Sequence, residues 1–152
     1  MYPGDVDSRT QPSDGKLEPP VASKKTARQR PPTVCHILLE LGREPGTHPF
    51  GDPNHVYHLY LPLLADGTID AEGWRSSRAL CRVRRQRPGE AEASGMIIHG
   101  PGGRWFFDYP GMATDESGFR LDKERFVVGE YVSIREDDDR FHTFQVVSVK
   151  PI

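Results

Sequence analysis

The sequence predicts an all-β domain at residues 33–152, a small and mostly antiparallel barrel or a compact sandwich of six to seven strands, behind a disordered proline-rich tail at residues 1–32. Three observations carry that expectation. Apolar residues after Thr33 recur at period two in short runs. Turn signals rich in glycine, proline and aspartate separate nearly all of those runs. No window keeps helical periodicity for more than about two turns.

The tail is set apart by composition. It holds six prolines (Pro3, Pro12, Pro19, Pro20, Pro31, Pro32) and only scattered apolar residues, too few to offset the entropy of ordering it. The first strand, Thr33 to Leu41, puts Cys35, Ile37, Leu39 and Leu41 on one face. His55 to Leu64 repeats the pattern, with Tyr57, Leu59, Leu61 and Leu63 on one side and His58 on the other. Pro62 inside this run predicts an edge strand or a bulge, because proline has no donor for a ladder. Asp66-Gly67 supplies a turn, and Asp70 to Trp74 a short helical turn with Asp70 as N-cap and Gly73 as stop.

Further along, Ala79 to Arg85 directs Ala79, Cys81 and Val83 inward and Arg82 and Arg84 outward. Gly95 to His99 and Arg104 to Tyr109 flank Gly100-Pro101-Gly102-Gly103, a hairpin loop that calls for positive φ. Trp105, Phe107 and Tyr109 form an aromatic stripe on the second arm, read first as core packing or sheet-on-sheet contact and, for any of the three that is exposed, as a stacking platform for bases. The last hairpin joins Glu130–Arg135 to Phe141–Val149. In its second arm Phe144 and Val146 share a phase that Val147 and Val149 do not, which predicts a bulge near Ser148 or cover on both faces. The run Gly129, Val132, Ile134, Phe144, Val146 and Val149 resembles the closing hairpin of SH3-like or OB-like barrels. Closure favours a barrel over a sandwich because it removes adhesive edges.

Composition limits the function. The chain has 152 residues, 20 basic and 22 acidic side chains, and a net charge of -2, which excludes a uniformly basic binder of nucleic acid. No apolar run exceeds three residues, so no helix of the sequence would cross a membrane, and the first residues lack a signal-peptide pattern. The expectation is a soluble, cytoplasmic protein, monomeric by default. Two cysteines without a CxxC spacing, Cys35 and Cys81, read as buried thiols. There is no GxSxG, HExxH, GxxxxGK[ST] or GxGxxG motif, and Cys35 and its neighbour His36 point to opposite faces, so the reading leans away from an enzyme and implies no cofactor.

The charge is segregated rather than absent. Residues 75–87 carry six arginines and no acid; the tail carries six basic and four acidic residues, leaving 8 basic against 18 acidic elsewhere. Arginines in a row suit phosphate or carboxylate, since each guanidinium donates two parallel hydrogen bonds. The expected function is therefore a non-catalytic binding module. Its contact residues are Arg78, Arg82, Arg84 and Arg85, with Trp105 as an aromatic partner, and its ligand is nucleic acid, a nucleotide-like anion or an acidic protein segment. The competing expectation is internal compensation by Glu90, Glu92 and the acids at 136–139. A second alternative is zinc or another divalent transition metal held by His48, Asp52, His55 and His58, as in a small metal-dependent enzyme, although strand spacing separates His55 from His58. A third is a structural subunit of a larger assembly.

Overall fold

The computed structural model describes residues 33–111, 116–118 and 121–152. The expected disordered tail, residues 1–32, lies outside the described residues.

Among the described residues eight strands follow one another: β1 (Val34–Leu41), β2 (Asp52–Pro62), β3 (Arg82–Gln86), β4 (Ala93–His99), β5 (Trp105–Asp108), β6 (Glu116–Gly118), β7 (Tyr131–Arg135) and β8 (Phe141–Pro151). Each pairs antiparallel with its sequence neighbours, and β8 pairs with β1, so the sheet closes into a barrel. Seven of these are the strands that alternation predicts; β6 is the addition. Three residues, Glu-Ser-Gly, are too short and too polar to show a period.

Closure resolves two irregularities of the sequence. Pro62 is the last residue of β2, opposite Val34, and its carbonyl accepts a hydrogen bond from the Asp70 N–H at 2.9 Å. It sits at a strand end rather than on an edge, where its missing donor removes no ladder bond. On β8 the register shifts between Leu38 and Leu39 of β1: Leu39 pairs with Val146 and Leu38 with Ser148, leaving Val147 as the extra residue. Val147 is exposed, and Val149, opposite Ile37, returns to pack against the core. The phase break in the sequence is this bulge.

The interior is filled by the period-two faces, among them Ile37, Leu39, Tyr57, Leu59, Phe107, Val132 and Phe144, all fully buried. One end of the barrel is plugged. Helix α1 (Ala71–Ser76) starts where the Asp70 side chain accepts from Gly73 N at 2.9 Å. It drives Trp74 inward, where Nε1–H donates to the Ile97 carbonyl at 2.8 Å and the ring meets Trp105 edge-on at 5.6 Å. At the opposite end, where β1, β3, β5 and β7 finish and β2, β4, β6 and β8 begin, the interior is polar: Arg85 and Glu136 are buried there.

Candidate binding face

Strand parity sorts the arginines. Arg82 and Arg84 point outward, Arg82 exposed and Arg84 half-buried, while Arg85 points into the barrel and is only 3 % exposed. Arg78 precedes the strand in a 3-10 turn (Arg78–Leu80), its guanidinium 4.8 Å from the Trp74 ring centroid. Of the four predicted contacts, only Arg82 and Arg84 share a face of the sheet.

Two predicted contacts are corrected by burial. Arg85 lies 4.9 Å over the Tyr109 ring and 3.9 Å from Glu90, inside the barrel mouth. Trp105 is 1 % exposed and stacks on His99 at 4.2 Å and 3°; it fills the core and has no face to offer a base. Phe107 and Tyr109 are buried in the same way.

Compensation is partial, and parity explains which arginines it reaches. Arg87 pairs with Asp137 at 3.0 Å and Glu90 at 3.5 Å. Arg84 lies 3.4 Å from Glu92, but both side chains are well exposed, so the pair is worth little, and the Arg84 Nε is a buried donor without a hydrogen-bond acceptor among the described residues. Arg82 makes no ion pair among the described residues; its Nε–H reaches only the Ala79 carbonyl at 3.4 Å.

Arg82 and Arg84 border a groove of about 520 Å³ on the outside of β2, β3 and β4, together with Tyr60, Ser94, Met96 and Pro110. Gly95 lies in its floor and lets β4 approach β5 closely: a Cβ there would collide with the carbonyl oxygen of Asp108. The cross-strand register extends this face in two rows. Lys150 pairs with His36 and His36 with Tyr60, in line with the Arg82 and Met96 pair; Leu38 pairs with His58, His58 with Arg84 and Arg84 with Ser94. His36 stacks on Tyr60 at 5.0 Å and 24°. The result is a face on which Arg82, Arg84 and Lys150 stand with His36, His58 and Tyr60; Glu92 lies beside Arg84, and Asp108 follows Met96 at the β5 end of the first row. Tyr60, Met96 and Lys150 are contacts that sequence reasoning missed. Their outward parity was readable, but their meeting depends on pairing between distant strands.

The metal candidates divide between inside and outside. His58 is on the outer face against His36, whereas the His55 Nε2–H donates to Glu136 Oε2 at 2.8 Å in the barrel mouth. His48 donates to Glu44 at 3.2 Å and stands 4.0 Å from Asp52. The set His48, Asp52, His55 and His58 therefore does not converge, and no group of three or more metal-ligating side chains is found among the described residues.

The mouth that takes His55 is a network of its own. Glu136 accepts from the Tyr57 hydroxyl at 2.5 Å and from His55, with the Arg87 Nε 3.9 Å away. Burial alone would raise its carboxyl; the hydrogen bonds from His55 and Tyr57 and the nearby positive charge outweigh this and hold it below the ordinary range. Burial would likewise lower His142, but hydrogen bonds to Asp138 and Glu44 and the charges of Glu136 and Asp138 raise it instead. Its two ring nitrogens serve two carboxylates on opposite sides, an arrangement suited to a proton and not to a shared metal ion. Cys81 is inert, its thiol pushed up to about 11 by burial.

Comparison with models of protein families, with curated proteins and with solved structures finds no match to this chain. What fold and site define is an eight-stranded antiparallel barrel with a basic and aromatic outer face. None of its described helices is long and apolar enough to cross a membrane.

Proposed function

We propose that the protein is a non-catalytic binding module whose β1–β4 outer face takes single-stranded nucleic acid, acting in the cytoplasm. The observation that carries this reading is the groove in which Arg82 and Arg84 stand beside the apolar surfaces of Tyr60, Met96 and Pro110. A guanidinium fork matches phosphate oxygens, and an aromatic face matches an unstacked base; a single strand offers both at once. A duplex hides its base faces. An acidic peptide would satisfy the arginines and leave the His36 and Tyr60 stack without a planar partner. Arg85 and Arg87, which turn toward the barrel mouth, are not needed for this surface, and the one acid paired with its arginines, Glu92 beside Arg84 among the described residues, makes only an exposed contact.

The test is retention on an immobilised single-stranded oligonucleotide. The wild type is expected to bind at low salt and to elute as salt rises, because each neutralised phosphate releases counterions. Arg82→Glu with Arg84→Glu is expected to abolish retention without unfolding the barrel, both side chains being on the outside. Equal retention of this variant would end the proposal, and competition by an acidic peptide alone would transfer the face to a protein partner.

A further inference from the structure

His36 on β1 and His58 on β2 lie side by side on the outer face. The Nε2 of the first is 2.8 Å from the Nδ1 of the second, and the rings are 5.0 Å apart and 7° from parallel. Such a contact holds one proton, donated by one ring nitrogen and accepted by the other. Two fully charged imidazoles would bring two N–H groups face to face.

The surroundings are cationic. From β3, Arg84 stands opposite His58; from β8, Lys150 stands opposite His36; on β2, Tyr60 stacks on His36; two groups favour the charged form of His58, a hydrogen bond with the Gln86 side chain and the charge of Glu92 beyond the end of β3. Burial first, and then the charges of Arg84 and Lys150, hold His36 below the ordinary imidazole value, and burial with Arg84 and His36 does the same for His58. These effects favour the neutral form of an imidazole pair that stands between two cations, spanning about 10 Å from β1 to β3. An anion seated there reverses the balance: it cancels the cations that keep the proton away and accepts from the imidazolium N–H groups that a proton creates.

We propose that His36 and His58, flanked by Arg84 and Lys150, form a second phosphate subsite of the nucleic-acid face that takes up a proton from solvent as the strand binds. This rests on the reading of the outer face as a single-strand binder. The proton is held more strongly in the complex than in the free protein, so affinity rises as pH falls, by up to about tenfold per pH unit for one proton. The arginine groove, whose groups stay charged throughout, supplies binding that does not depend on pH.

The experiment uses the full chain and a fluorescein-labelled oligo-dT of about twelve nucleotides, read by fluorescence anisotropy at low salt between about pH 7.5 and about pH 6. Affinity of the wild type is expected to rise by about threefold to tenfold over this range. His36→Gln with His58→Gln is expected to lose the slope; its affinities at the two pH values are compared with each other, so any loss of the His36 and Tyr60 stack lowers both alike and leaves the readout intact. Thermal unfolding checks that the variant is folded. Calorimetric titration of the wild type in two buffers of different ionisation enthalpy gives proton uptake directly, without any variant. A wild type that binds through Arg82 and Arg84 but shows neither slope nor uptake overturns the subsite alone, as does a slope that persists in the double variant. A wild type that does not bind, or whose binding ignores Arg82→Glu with Arg84→Glu, overturns the underlying reading.

Discussion

His142 joins two loops that are far apart in sequence: its Nδ1–H donates to Glu44 Oε2 at 2.6 Å and its Nε2–H to Asp138 Oδ2 at 2.8 Å. The first acceptor follows β1 and the second lies at the tip of the β7–β8 hairpin, so one imidazolium ties the rim of the barrel mouth together.

That tie makes stability depend on pH in both directions. His142 is raised from 6.5 in the folded state, so its contribution is complete below that value and is lost as pH rises through the higher, folded one. Glu44, Glu136 and Asp138 are lowered, so theirs is complete above the ordinary carboxylate range and is lost as pH falls through the depressed values. On going from about pH 6 to about pH 8.5, the wild type is expected to lose more stability in urea than His142→Gln does. Parallel pH profiles for the two proteins would show that the imidazolium is not the tie.

The Tyr57 hydroxyl caps a buried carboxylate. Glu136 is 5 % exposed and takes two hydrogen bonds on one oxygen, from Tyr57 and His55. Tyr57→Phe keeps the ring packed on Phe107 and Phe144 and removes only the donor. It is expected to cost about 1.5–3 kcal/mol, the range for a hydrogen bond to a charged group. The urea midpoint measures it; an unchanged midpoint would mean that water replaces the hydroxyl.

Gly95 lets β4 and β5 meet beneath the groove. Gly95→Ala would force its methyl against the Asp108 carbonyl, a backbone group that cannot swing aside. The expected cost is about 1–3 kcal/mol, as for overpacking, together with weaker oligonucleotide binding, since the groove floor must shift. Denaturation and anisotropy on the same sample check both; a variant of wild-type stability would refute the close contact.

Arg84 and Arg85 are adjacent yet serve different ends. Arg84→Ala is expected to weaken oligonucleotide binding by about tenfold and to leave stability within about 0.5 kcal/mol of wild type, as at other surface sites. Arg85→Ala removes a buried cation from over Tyr109 and leaves Glu90 with one partner fewer, so it is expected to lower the urea midpoint. Reversal of the two outcomes would place the binding surface in the barrel mouth.

Much of this fold was legible in the chain because its signals are local. The alternation in Val34–Leu41, the proline at 62, the capping Asp70 and the broken phase at Val147 each report a nearby geometric fact. The same alternation already placed Arg82 and Arg84 on one face and Arg85 on the other. A run of arginines on a strand cannot all stay outside: Arg85 has the inward parity and meets Tyr109, just past β5, and Glu90, in the β3–β4 loop, at the barrel mouth. For Trp105 the strand leaves core packing and an exposed stacking role both open, and α1 and His99, which cover its ring, decide for the core.

The sequence by itself determined the class of fold and which side chains share a strand face, because period-two patterning needs only the pleat. Only the tertiary structure decided that the sheet closes, that β6 exists, that Glu136 lies against Tyr57 across 79 residues, and that His36, His58, Tyr60 and Arg84 are neighbours. Those are matters of register between strands far apart in the chain. Register is settled by the packing of the whole core, where a slip of one residue would turn every inward face outward.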